Sequence, residues 1–140
     1  MSSFPVWNCR SSWVRSSDWF IIRKNEDPNE LIGAIQGPNN TPYEGGIFYF
    51  SITLLYTYCQ PEFIFLTKIL HPNIKKTGKL RIQIQYPARK GLKELLDWIV
   101  NLLKEPQWNA SKLPKKFELY QKDPDAYYSY VKQTTIKYAN

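Results

Sequence analysis

The stretch Leu31-Ile32-Gly33-Ala34-Ile35-Gln36-Gly37-Pro38-Asn39-Asn40-Thr41-Pro42-Tyr43-Glu44-Gly45-Gly46-Ile47-Phe48-Tyr49-Phe50-Ser51-Ile52-Thr53-Leu54 decides the fold. Leu31 to Gln36 reads as a strand, and Gly37-Pro38-Asn39-Asn40-Thr41-Pro42 as the turn that ends it. Glu44-Gly45-Gly46 gives pliable backbone before Ile47 to Leu54, whose aromatic and β-branched side chains suit a pleated, half-buried surface. Phe63 to Leu66 is a further short strand after Pro61. The connections are too short for parallel crossovers, so these strands form an antiparallel meander.

Downstream the texture changes to loop: His71-Pro72-Asn73-Ile74, then Lys75-Lys76-Thr77-Gly78. Leu80, Ile82 and Ile84 alternate with Arg81, Gln83 and Gln85, which puts the apolar side chains on one face of an extended segment and points Arg81 away from it. From Gly91 the period switches. Leu92, Leu95, Leu96, Ile99, Val100 and Leu103 fall on one side of a helix closed by Pro106. Leu113 to Tyr120 predicts a short helix with Pro114 in its first turn, and Asp123-Pro124 is a cap followed by a first helical residue. Tyr127, Tyr130, Val131 and Tyr138 are expected to be the buried stripe of that last helix. Strands first and helices after is an α+β arrangement.

With 140 residues and 43% hydrophobic content, the chain can bury one proper core and no more. The formal charge of +7 favours an acidic partner in general. The lysine groups Lys75, Lys76, Lys79 and Lys112, Lys115, Lys116 read as solvated faces, and no basic-aromatic motif accompanies them, so a nucleic-acid partner is not expected. Cys9 and Cys59 have unrelated surroundings, which indicates neither a disulfide framework nor a metal site; no cofactor is expected. No apolar run is long enough for a transmembrane segment.

Met1 to Asn25 shows no clean periodicity and is read as an atypical N-terminal arm, a short helix or an extended segment, ahead of a domain spanning 26–140. Its start carries Arg10, Arg15, many serines and no acidic residue before Asp18. That pattern raises a mitochondrial address as the alternative to the default cytoplasmic or nuclear one, although Pro5 spoils an amphipathic helix. Trp7, Trp13, Trp19 and Phe20 are large apolar residues without a packing pattern, candidates either for partner contacts or for cover over the sheet.

These residues carry a family likeness. Gly37-Pro38 with Thr41-Pro42-Tyr43-Glu44-Gly45-Gly46-Ile47-Phe48 resembles the strand-turn-strand signature of ubiquitin-conjugating enzymes. Phe65-Leu66-Thr67-Lys68 and then His71-Pro72-Asn73-Ile74 resemble the approach to their active site, and Gly78 sits where the family has a glycine. Leu102-Leu103, Pro106, Pro114, Tyr120, Asp123, Tyr127 and Lys137-Tyr138-Ala139 agree as well. The resemblance implies a four-stranded antiparallel sheet packed with helices, both C-terminal helices kept and the N-terminal helix altered or absent.

In that family a cysteine after the glycine forms a thioester with the ubiquitin C-terminus, which a substrate lysine then attacks. Counting forward from His71-Pro72-Asn73 places that position at Arg81. A guanidinium stays protonated and forms no labile acyl bond, so the chain is expected not to be an enzyme. Nothing near Cys59 in sequence would lower its pKa, so it is expected to be an inert thiol. His71, Pro72, Asn73 and Arg81 then form a vestigial site, with Asn73 a loop brace and His71 a hydrogen-bonded structural residue. The family's ligase-docking loops are shortened here, to Leu54 through Tyr58 and Gln85 through Lys90. Tyr58 and Tyr86 are candidate partner contacts, a packed tyrosine being the alternative at 58.

Two functions remain open. One is a non-catalytic scaffold resembling the ubiquitin-conjugating enzyme variants, with ubiquitin or an active conjugating enzyme as partner. The other is a structural accessory subunit of a large, mitochondrial, multiprotein assembly, with neighbouring subunits as partners.

Overall fold

The computed structural model describes residues 18–24, 30–53, 61–84, 91–108 and 113–140. Among these described residues four strands, β1 (Trp19–Lys24), β2 (Glu30–Gln36), β3 (Ile47–Thr53) and β4 (Glu62–Phe65), precede three helices, α1 (Leu92–Lys104), α2 (Lys115–Lys122) and α3 (Pro124–Tyr138). The strands form one antiparallel sheet in the order β1-β2-β3-β4. This is the expected α+β architecture, with both C-terminal helices in place.

Alternation builds the inner face of the sheet. Phe48, Phe50 and Ile52 of β3 and Phe63 and Phe65 of β4 are buried, and they share one cluster with Leu95, Leu96, Ile99 and Leu103 of α1. The turn from β2 to β3 is closed by Gly37 N–H donating to the Gly46 carbonyl at 2.8 Å. A Cβ on Gly37 would lie 1.6 Å from the Tyr43 carbonyl oxygen, so only glycine allows the approach. Within the turn Thr41 Oγ1 donates to the Pro38 carbonyl and accepts from Tyr43 N–H, which delivers Tyr43 fully buried into the core. Its hydroxyl donates to the Leu70 carbonyl at 2.7 Å and lies 3.2 Å from that of Tyr127 on α3.

Asp123 caps α3, accepting from Ala126 N–H at 3.2 Å, and Pro124 opens it. The buried stripe of α3 is Tyr127, Val131 and Thr135, spaced by four residues. Tyr130 and Tyr138, expected in that stripe, are 50% and 43% exposed instead. Tyr130 sits to one side of the stripe and packs on Tyr120, whereas Tyr138 shares the stripe's face but is the last residue of the helix and lies beneath Lys68. The far end of the helix is tied to the sheet, with Ile47 N–H donating to the Ala139 carbonyl at 2.8 Å.

Strand β1 falls within the segment expected to be an arm. It is an edge strand paired with β2, Trp19 facing Ile35 and Lys24 facing Leu31, with an irregularity between Ile21 and Arg23. Trp19 is 1% exposed, so it is a core residue and not the partner contact suggested by the sequence. Its indole N–H donates to Asp97 Oδ1 at 3.0 Å, fastening β1 to α1. Burial raises the Asp97 carboxyl pKa, but the hydrogen bonds from Lys93 and Trp19 together with the Lys93 charge outweigh it and hold the group below its usual value. Phe20 is half-buried, and Trp7 and Trp13 lie outside the described residues. A Trp19→Ala variant should lose about 3–5 kcal/mol in urea unfolding, as a buried aromatic does; a Trp19 that served only as a partner contact would leave the monomer's stability unchanged.

Candidate functional site: a braced loop ending at Arg81

The site begins at the turn His71-Pro72-Asn73-Ile74, closed by Ile74 N–H donating to the His71 carbonyl at 3.2 Å. Pro72 occupies the second position of this turn, where its fixed φ is pre-set. The His71 ring is 1% exposed and stacks on Tyr43. Its Nδ1 accepts from Asn73 N–H at 3.0 Å, so the ring proton sits on Nε2, which donates to the Leu102 carbonyl at 2.8 Å. Leu102 lies in the last turn of α1, where carbonyls have no intrahelical donor. Burial lowers the His71 pKa to about 4, against an opposing pull from the Leu102 carbonyl. The imidazole is therefore neutral with both nitrogens committed, which leaves it no part as base or metal ligand. Among the described residues no group of His, Cys, Asp and Glu could hold a metal ion.

Asn73 is fully buried. Its Oδ1 accepts from Gln107 N–H at 2.8 Å and its Nδ2 donates to the Gln107 carbonyl at 3.1 Å, so the side-chain amide pairs with the backbone just beyond α1. Its own carbonyl accepts from Arg81 N–H at 2.7 Å. Between these points the chain closes as a small hairpin: Ile74 bridges Leu80, and Lys75 N–H donates to the Lys79 carbonyl at 2.8 Å. Gly78 has φ +92°, a left-handed conformation, and its carbonyl accepts from Phe65 N–H on β4 at 2.9 Å. A Cβ there would lie 2.0 Å from the Phe65 carbonyl oxygen, so the loop seats on β4 only with glycine.

This framework delivers residue 81 to the surface. Leu80 and Ile82 are half-buried and Ile84 is buried, while the Arg81 side chain is exposed, as the alternation in sequence implied. It borders a cleft of about 480 Å³ between the loop and helices α2 and α3. A guanidinium there can pair with an anion and donate hydrogen bonds, but it cannot act as an acyl-accepting nucleophile.

The structure thus brings His71, Pro72, Asn73 and Arg81 into one hydrogen-bonded unit. Tyr58, Tyr86, Cys9 and Cys59 lie outside the described residues. Sequence reasoning missed Leu102 and Gln107, which contribute backbone atoms and so leave no trace in residue type. It also missed the cations that share the cleft with Arg81. Lys116, read in sequence as part of a solvated face, borders the same cleft.

The class these features define is an α+β domain in which a His-Pro-Asn turn, braced on the end of the first long helix, sets the residue beyond a glycine loop at a surface cleft. The ubiquitin-conjugating enzyme family model matches residues 12–135, and the chain belongs to that family. No helix among the described residues is long and apolar enough to cross a membrane.

His71 is the chain's single histidine, which makes its titration legible. With a folded pKa of about 4 against an ordinary 6.5, the unfolded chain takes up the proton first as pH falls. The stabilisation is present above pH 6.5 and is lost progressively as pH falls through about 4, below which both states are protonated. The whole span is about 3 kcal/mol, about 2 of it between pH 6.5 and 5. Urea unfolding across that interval should show this fall in the wild type and a nearly flat profile in His71→Gln.

Proposed function

We propose that this chain is a catalytically inactive member of its family that works as a binding or scaffold module, positioning ubiquitin or a partner enzyme. The observation that carries this reading is Arg81, exposed at the end of the Asn73-braced loop where the resemblance places the family's nucleophile. Two further features support it. The Asn73 amide is engaged at both ends with Gln107, a bracing role that needs no reaction. The turn and hairpin around it are closed by their own backbone hydrogen bonds, an arrangement that needs no reaction at residue 81 to stand.

The test is a charging reaction with activating enzyme, ATP and ubiquitin, read as a reductant-sensitive band. Wild-type protein should give none; a thioester that disappears on Cys59→Ser would overturn the reading. Arg81→Cys should also fail to charge, and the reason can be isolated. Lys68, Lys76 and Lys116 remain around a thiol placed there, and nearby cations favour the thiolate. Iodoacetamide should therefore alkylate that thiol faster than it does a free cysteine while charging stays absent, locating the defect in recognition by the activating enzyme. Charging of Arg81→Cys would show that only the nucleophile had been lost.

An accessory-subunit reading finds support in a different observation. Tyr49, Leu66 and Tyr138 are 46%, 57% and 43% exposed and line one shallow depression where the end of α3 meets β3. Exposed apolar groups gathered this way mark protein contacts. Native size fractionation of the source lysate distinguishes this role: migration at the monomer mass argues against a stable large assembly.

A further inference from the structure

The cleft beside Arg81 has an uneven charge distribution. Lys68, Lys76, Arg81, Lys116 and Lys137 line it, and no carboxylate does among the described residues. These five cations come from four stretches of sequence and are brought together by the loop after β4, the glycine hairpin, the first turn of α2 and the last turns of α3. None of them is in an ion pair among the described residues, where the two salt bridges are Lys79–Glu62 and Lys93–Asp97. Their proximity is felt chemically. The Lys116 amine is pulled below its usual pKa first by partial burial and then by the charges of Lys76, Arg81 and Lys68. The Tyr138 hydroxyl is pulled down by its hydrogen bond and charge interaction with Lys137 and by the charge of Lys68, whose Nζ sits 4.6 Å from the Tyr138 ring centroid.

The cleft is not only basic. Tyr130 and Tyr138, both exposed, give it aromatic surface between the cations, over a floor of the buried Ile74 and Phe117. Its volume of about 480 Å³ lies in the range of sites that enclose side chains or small ligands. A bare phosphate would use the charges and leave that surface idle. Four of the five cations are lysines, point charges without the planar fork that selects phosphate geometry.

We infer that this cleft binds an acidic peptide segment of a partner protein, one that sets an aromatic or aliphatic residue between its carboxylates. The apolar residue enters against the exposed rings of Tyr130 and Tyr138, and the carboxylates meet Arg81 and Lys116 on one side and Lys68 and Lys137 on the other. Charge complementarity selects the partner: like charges held together without counter-ions repel, and an anionic segment relieves that repulsion while its apolar residue leaves water. The inference deepens the binding-module reading and rests on it, but the two fail separately, because charging tests that reading and peptide titration tests this one.

The probe is a fluorescein-labelled peptide, Glu-Asp-Phe-Glu-Asp-Leu-Glu-Asp, followed by anisotropy on the full chain. Binding should weaken by about tenfold or more in Arg81→Glu/Lys116→Glu, as for charges at the centre of a contact, and by less than about twofold in Lys104→Glu/Lys132→Glu, whose side chains lie outside the cleft. The neutralised pair Lys68→Gln/Lys137→Gln should show an intermediate loss with an unchanged circular dichroism spectrum. Replacing Phe and Leu in the peptide by Ser should cost about fivefold, the contribution of one or two apolar anchors. Any of four results would overturn the inference: no binding at millimolar peptide, equal losses in the cleft and distant variants, equal affinity for the Ser peptide, or displacement by tripolyphosphate or an oligothymidylate at lower concentration than by unlabelled peptide.

Discussion

The junction on which this structure turns is the grip of His71-Pro72-Asn73 on the end of α1. One imidazole N–H satisfies the carbonyl of Leu102, and one carboxamide satisfies both the N–H and the carbonyl of Gln107. These groups lie in or beside the core, where an unmade hydrogen bond costs about 1–3 kcal/mol. Removing the turn would leave several of them without partners at once. The same turn holds Arg81 through the Asn73 carbonyl, so the position of the surface residue depends on the helix end thirty-odd residues further along the chain.

That dependence explains why a His-Pro-Asn turn says little by itself about catalysis. Every polar atom of the His71 ring and the Asn73 side chain described above has a structural partner, and burial keeps the imidazole neutral. The motif is needed to join the sheet's exit loop to α1 whatever residue stands at 81. At the exposed position that the Asn73 carbonyl holds, the side chain is a guanidinium.

How much of this could be read in the sequence follows from what each feature depends on. β2, β3 and β4 showed themselves because turn residues bound β-branched and aromatic runs, and α1 because its leucines repeat at helical spacing. β1 did not. Trp19-Phe20-Ile21-Ile22 is a continuous apolar run, and the irregularity before Arg23 removes the alternation that would have marked a strand. Tyr130 was misplaced because aromatic character was followed rather than the four-residue spacing that links Tyr127, Val131 and Thr135, and Tyr138 because helical spacing does not show that the last residue of the helix runs past the core. Arg81 was found by counting along a local motif. The partners of that motif were not, because backbone atoms of distant residues have no sequence signal.

The cleft was the least legible feature, for a reason that also bears on its meaning. Lys68, Lys76, Arg81, Lys116 and Lys137 belong to four separate stretches of chain, and nothing in the sequence groups them: Lys76 and Lys116 read as solvated cations, Lys68 and Lys137 as parts of family-like motifs, and Arg81 as a single substituted position. Only the fold sets them around one depression, and salt screens such exposed charges over about 10 Å without abolishing their repulsion at closer range. A surface free of other demands would intersperse carboxylates among them, as the protein does where Lys79 meets Glu62 and Lys93 meets Asp97. Among the described residues it does not do so here, and Arg81 contributes to the excess. Arg81 thus does more than mark an absence. The brace presents a permanent positive charge, held by the Asn73 carbonyl at the edge of the open cleft, and on the proposed reading such a group selects what docks.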